Sequence, residues 1–401
     1  MPSLRKDLPN MGSMMKKLGY QTAFFGKWEM DLDLIPPKPT VNYSEALQPY
    51  GFDIYQPDVD KVGTPNQGYD TDVYTASESV RWLRGNVPKL RESGQSFFMI
   101  MSYLNPHDIM YADANVPGTP QVQKAVSNGA IVAPPKNSLY SQHWNSAPSP
   151  TMGESLSAPR MPPALAEYHT GWEGVLGTIP TNRPDMWQVF NDYYLNMIRD
   201  TDLSLQQLED GLDELDLWDD TVVIFTADHG EMAGDHGGIR GKGPMAYDGN
   251  AHVPLIVVHP DYPRSQSSDV VTSHLDLMPS LPGLAGVPDD QRRDAVKGLP
   301  GHDFSGVLAT AETAVAQAVL FNYVGPMTID SNYCVAAMTQ LLQGKPAPPL
   351  TNLQSKLEKR GFMSFALTGS TSSCVTTPPP TSIRRRRLSK FCVTTTSSSL
   401  T

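Results

Sequence analysis

Cysteine is scarce: the 401-residue chain has three, Cys334, Cys374 and Cys392, all in its last quarter. That spacing excludes a dense disulfide framework and fits no zinc pattern. No apolar run approaches the roughly 18 residues needed to span a membrane. Met1-Pro2-Ser3-Leu4-Arg5 does not read as a signal peptide. No address is legible, and the default expectation is cytoplasmic. Positive charge is also short. Lys and Arg number 31 against 42 Asp and Glu, a formal charge of −11, and the run Arg384 to Arg387 concentrates part of the basic charge in the tail. A nucleic-acid partner, which needs a broad basic face, is therefore not expected. A small anionic ligand is compatible, because a few local cations or a bound metal set the field of a pocket whatever the global sum.

What is present describes a globular chain. Hydrophobic residues make up 39% and charged residues 18%, enough for one large α/β domain with a smaller appendage. Met11, Met14, Met15 and Leu18 recur at helical spacing and Gly19 ends that helix. Thr22 to Phe25 reads as a short strand ending at Gly26-Lys27-Trp28. A helix is expected near Asp70, as N-cap, with Val73, Val80 and Leu83 on its apolar face. Phe97 to Tyr103 is apolar on both faces, as a buried parallel strand would be, and runs into Asn105-Pro106-His107-Asp108. The clearest helix carries Ile198, Thr201, Leu205, Leu208, Leu212 and Leu215. Val222 to Thr226 is a strand that runs into Ala227-Asp228-His229-Gly230. Leu255 to Val258 and Leu275 to Leu284 read as a further strand and helix. This alternation predicts an α/β fold, a mostly parallel sheet sandwiched by helices. In such sheets chemistry sits beyond the carboxyl ends of the strands, where three polar clusters fall: Gly26 to Glu29, Asn105 to Asp108, and Asp228 with His229.

Asp228 leaves a buried strand beside glycine, which suits a ligand of a hard divalent cation and equally a helix cap. Thirteen residues past His229, Lys242 stands between Gly241 and Gly243, on a tight turn able to present an ammonium to an oxyanion. Taken alone it also reads as a solvated loop cation. His107 follows a proline, and an imidazole ordinarily titrates in the range useful for proton donation; taken alone it reads equally as a histidine hydrogen-bonded at a strand end. Lys27 is an anion-binding residue if its strand end lies in the site, and a surface lysine otherwise.

Gly-Tyr-x-Thr-Ala-x-x-Gly-Lys-Trp at Gly19 to Trp28 resembles the second signature of the sulfatases. Phe97-Phe98 through Asn105-Pro106-His107-Asp108 resembles the strand that carries that family's catalytic histidine. Val222 through Gly243, followed by Val253-Pro254-Leu255-Ile256-Val257, is similar to its segment of metal ligands and lysine. The order and spacing agree over roughly residues 8–310, and the alkaline-phosphatase superfamily fold is what this resemblance implies. It further implies a calcium-dependent hydrolase of sulfate monoesters, acting on a small-molecule or glycan sulfate. Asp228 and His229 would bind the metal, Lys27 and Lys242 would hold sulfate oxygens, and His107 would protonate the leaving alcohol. Cations around a group whose negative charge is spread over its oxygens lower the barrier to its transfer.

Two departures stand out. The resemblance implies an aspartate pair and a C-x-P-S-R cysteine, converted to formylglycine, ahead of the Lys-Trp motif. Only 26 residues precede Lys27, and neither feature is among them. Ser146-Ala147-Pro148-Ser149 is followed by Pro150, and Ser157-Ala158-Pro159-Arg160 lacks the second serine, so neither completes the pattern. The expectation is a truncated product with the first strand missing, the centre of its sheet left open, and no turnover by the isolated chain. The second departure is Glu29, where the family usually has histidine. A carboxylate beside sulfate is repulsive unless it binds metal or is protonated, and its role stays open. The expected organisation is an incomplete catalytic domain over 1–300 with an irregular, substrate-facing insertion at 112–184. A partial C-terminal subdomain at 301–368 and a disordered Ser, Thr and Arg-rich tail at 369–401 complete it. A phosphomonoesterase or phosphonate hydrolase of the same superfamily, or a non-catalytic binding remnant, are the alternatives.

Overall fold

The computed structural model describes residues 3–31, 34, 42–57, 65–159, 161–243, 245–262, 265–310, 318–322, 330–349, 364–368, 374–375 and 389–396. The strands in chain order are β1 (Gln21–Gly26), β2 (Ile54–Pro57), β3 (Phe97–Ser102), β4 (Asp220–Ala227), β5 (Leu255–Val258), β6 (Ser267–Ser268), β7 (Ala318–Asn322), β8 (Ser364–Thr368), β9 (Cys374–Val375) and β10 (Ser389–Thr396). Among the described residues the main sheet has the order β2-β1-β3-β10-β4-β5-β9-β6, and β7 pairs with β8 apart from it. The run from β2 to β4 is parallel throughout, and β5 then joins β4 antiparallel.

The helices that matter here are α1 (Met11–Lys17), α2 (Gln67–Ser93), α3 (Pro163–Leu176), α4 (Pro184–Glu214), α5 (His274–Leu284) and α6 (Ser331–Leu342). Of these, α1 and α5 cover one face of the sheet and α2 and α4 the other, which is why its strands are apolar on both faces. Phe24, Phe98, Ile100, Val222 and Ile224 pack on one side with Met14 and Met15 of α1 and Leu281 and Leu284 of α5. The alternate residues Phe25, Phe97, Met99 and Met101 pack on the other side with Trp82, Leu83 and Val87 of α2 and Leu208 and Leu212 of α4. Side chains alternate across a strand with period two, so a run with no polar member needs a partner layer on each side.

One expectation is corrected, and the structure adds detail to two others. Asp70 is not the cap of α2: the helix begins at Gln67, preceded by Asn66 at φ 64° with no side-chain cap. The stretch 112–184, which shows weak periodicity, contains α3, whose Leu165, Tyr168, Val175 and Leu176 are buried. Within the tail, expected to be disordered, the described residues 374–375 and 389–396 form β9 and β10, and β10 lies between β3 and β4. It pairs in parallel with β3 and with β4, placing Phe391 in register with Phe98 on one side and Val222 on the other. Two facing strand edges carry unpaired backbone groups that must be satisfied. Lys390 to Thr396 is rich in β-branched and aromatic residues that suit a strand. The arginine run Arg384 to Arg387 lies outside the described residues. No helix among the described residues is long and apolar enough to cross a membrane.

Candidate functional site

The first cluster follows β1. Gly26 has φ 90°, and a Cβ there would sit 2.1 Å from the carbonyl oxygen of Ser102 on β3. Only glycine permits that approach, and it turns the chain so that the Lys27 N–H donates to the same carbonyl at 3.1 Å. Trp28 is buried edge-on against Phe24 at 5.2 Å, so the tryptophan of the motif is a core anchor that fixes the lysine beside it. Lys27 Nζ lies 2.8 Å from Glu29 Oε2.

The second cluster follows β3 and is gripped by the first turns of α2. The Asp72 carboxylate accepts from the N–H groups of Leu104 at 2.7 Å and Asn105 at 2.8 Å. In the other direction, the Asp108 carboxylate accepts from the Gly68 N–H at the start of α2, at 3.0 Å, where orphan helix donors favour an anion. A Cβ on Gly68 would meet the Asn105 side chain at 2.4 Å. Asp108 Oδ1 also lies 3.1 Å from His107 Nδ1. With the Nδ1–H committed to that carboxylate, Nε2 is the atom His107 presents. Burial, and after it the charges of Lys242, Lys27 and His229, hold His107 well below the ordinary imidazole range. Its ring is therefore neutral at neutral pH. Burial pushes Asp108 up to about 6.

The third cluster follows β4. His274, the first residue of α5, makes a 2.7 Å hydrogen bond from Nε2 to the Ala227 carbonyl, the last of β4. Asp228 then projects with 56% of its side chain exposed. The His229 ring bonds the Gly230 carbonyl through Nδ1 at 3.0 Å and lies 6.1 Å from the His107 ring, centroid to centroid. Burial and Lys242 lower His229 to about 4. Glu231 is fully buried and accepts from the N–H groups of Ala233 at 3.1 Å and Gly241 at 2.5 Å, closing the loop that delivers Lys242. From the far side Tyr168 of α3 donates to the carbonyls of Arg240 and Lys242 and lies flat over Gly243, where a Cβ would strike its ring at 2.4 Å. Lys242 Nζ rests 3.7 Å from Met110 Sδ. Burial, then the charge of Lys27, depresses it to about 8.

All six residues singled out in the sequence, Lys27, Glu29, His107, Asp228, His229 and Lys242, thus stand at the carboxyl ends of β1, β3 and β4. The lysines and both histidines are close enough to shift one another's protonation. Sequence reasoning missed the residues that hold them: Gly68, Asp72, Glu231, Tyr168 and His274. Glu231 directly follows Asp228-His229-Gly230 in the sequence, so its signal is local. Asp72 and Tyr168 carry no local signal, since their partners lie 32 and 74 positions away.

The donor set was tested against a divalent ion. Calcium takes six to eight oxygens and octahedral ions six ligands. Asp228 gives one carboxylate, the His229 nitrogen is a poor calcium ligand, and no group of three His, Cys, Asp or Glu among the described residues is arranged to hold a metal. These two residues do not make a complete site. Of the cysteines, Cys334 has a described side chain: it is buried in α6 against Gly171 of α3, and burial pushes its thiol up to about 11. Residues of that kind are inert as nucleophiles.

The family model described as Sulfatase matches residues 2–287. An arylsulfatase of Volvox carteri is 26% identical over 312 residues, 74% of this chain and 46% of that protein, so the chain spans less than half of that relative. A solved structure from a Bacteroides thetaiotaomicron locus for metabolism of multiple glycosaminoglycans aligns with TM-score 0.51 and 20% identity, over 80% of this chain and 62% of the other. The phosphonate monoester hydrolase of Agrobacterium radiobacter aligns with TM-score 0.51 and 21% identity, over 83% of this chain and 70% of the other. At these identities the likeness is one of fold.

Proposed function

This chain belongs to the sulfatase family, and we propose that its site binds the anionic head of a sulfate monoester, on a small molecule or a glycan, the class of ester that a sulfatase hydrolyses. The observation that carries the reading is the meeting of Lys27 and Lys242. Two lysines from different strand ends lie near enough for the charge of one to depress the other, a repulsion that Glu29 offsets at Lys27 and that an anion between the two ammonium groups would offset further. An anion seated there would be held by both ammonium groups and flanked by His107.

The protonation states set the order of events. At rest His107 is neutral, so Nε2 is an acceptor and not the ready proton donor its ordinary range suggests. Burial is the main cause of that depression, and an anion that offsets the two lysine charges relieves the lesser part of it, which favours proton uptake by His107 next to the leaving oxygen. Asp108 keeps Nδ1 occupied throughout and fixes which nitrogen acts. Asp228 and His229 are proposed as contributors to a divalent site, calcium by family resemblance. Two donors fall short of such a site, and the roles given to the lysines and His107 do not depend on it. The formylglycine of the family has no precursor at this site among the described residues.

The test is a binding and turnover experiment on the chain as given, with 4-nitrophenyl sulfate. Saturable binding that Lys242→Gln weakens by about tenfold, the scale of one charge-assisted contact, with no release of nitrophenol, is the expected result. Binding that ignores both lysines would remove the reading. A phosphate or phosphonate ester is the second candidate, because the Agrobacterium hydrolase shares the fold to the same degree. The relative affinities for sulfate and phosphate esters separate the two.

A further inference from the structure

Lys27 already has an anion. Its ammonium pairs with Glu29 at 2.8 Å, and the two side chains are only 13% and 23% exposed, so solvent screens the pair weakly. The carboxylate is held there by the chain and does not drift there. Gly26 at φ 90° and Glu29 at φ 47° bend the backbone on both sides of Lys27 and Trp28, and Trp28 is locked in the core. A left-handed conformation is one that a residue other than glycine enters only at a cost, and strain of this kind gathers at functional positions.

We infer that Glu29 is a specificity-determining residue: it acts as the built-in counter-charge of Lys27 and biases the site toward monoanionic sulfate esters over dianionic phosphate esters. The inference deepens the reading that the lysines hold the ligand's oxygens, and rests on it. Any anion that engages Lys27 must share the ammonium with Glu29 or displace it, and either way meets the carboxylate's repulsion. Coulomb energy scales with the product of charges. A sulfate monoester carries one charge and a phosphate monoester, above its second ionisation near pH 6, carries nearly two. The dianion therefore suffers about twice the penalty in free energy, which is the square of the monoanion's factor in affinity.

The experiment measures dissociation constants of 4-nitrophenyl sulfate and 4-nitrophenyl phosphate by calorimetry at about pH 7.5. The full chain is compared with Glu29→Gln and Glu29→Gly. Glycine accepts the backbone angle of Glu29 without strain, so the second variant guards against misfolding in the first. If removing the charge tightens the sulfate ester by about threefold, it should tighten the phosphate ester by about tenfold. Equal gains for the two esters, or no gain while Lys27→Gln still weakens both, overturn the inference and leave the anion site standing. Failure of the parent and both variants to bind either ester removes the anion site and the inference together. Loss of calcium affinity in Glu29→Gln, in the same instrument, assigns the carboxylate to a metal and overturns the counter-charge role.

Discussion

At the carboxyl end of β3 the backbone before and after His107 is tied to α2 by Asp72 and Asp108, and the imidazole has one nitrogen committed. At the carboxyl end of β4, Asp228 stands more than half exposed, in contact with the N–H and ring of its own neighbour His229. The first arrangement fixes an atom in space through buried hydrogen bonds whose loss strands other groups. The second leaves a carboxylate that is more than half exposed and open to something that is not protein. A group that must present a single nitrogen profits from rigidity, while a group that must meet a hydrated ligand profits from open valence. Lys242 lies between these extremes. Its loop is built by Glu231 and Tyr168, yet the ammonium itself touches only the soft sulfur of Met110 among the contacts found for it.

The contrast can be broken most forcefully at Asp72. Replacing it with alanine strands two buried N–H groups, and a loss of about 3 kcal/mol in the urea-unfolding free energy is expected. A loss near that of an ordinary surface substitution would show that the His107 loop is held by something else. Next in size is the response of anion binding to pH. Lys242 titrates at about 8, is charged below that value and neutral above it. Affinity for 4-nitrophenyl sulfate should thus fall about tenfold from about pH 7 to about pH 9. A flat profile over that window would take Lys242 out of the anion clamp. The smallest effect sharpens the comparison from the other side. Asp228→Ala is expected to change stability by less than about 0.5 kcal/mol, as for an exposed residue whose contacts are confined to its own neighbour. A loss like that of Asp72→Ala would mean that the β4 end is as tightly built as the β3 end.

Much of this was legible along the chain. The buried strands β1, β3, β4 and β5 announce themselves as short apolar runs, and each of the three site loops begins where such a run ends. Local signals also found the glycines around Lys27 and Lys242, because a tight turn leaves its mark within a few residues. Asp70 was misjudged as a cap because a cap is recognised by a side chain reaching its own helix. Here the start of α2 is satisfied instead by Asp108, forty positions away. Helix α3 escaped because its surroundings are rich in proline and serine. The place of β10 escaped because nothing in a Ser and Thr-rich stretch says which edge it will meet.

By itself the sequence determined the α/β class, the family resemblance, and the six polar residues at the strand ends, since hydrophobic period and turn chemistry are local properties of a chain. Only the tertiary structure decided that α2 clamps the His107 loop, that Tyr168 of α3 props up Lys242, and that Ser389–Thr396 lies between β3 and β4. It also decided that Lys27 meets Glu29 inside the site. These are contacts whose energies depend on burial and on groups remote in sequence, and burial exists only once the chain has folded.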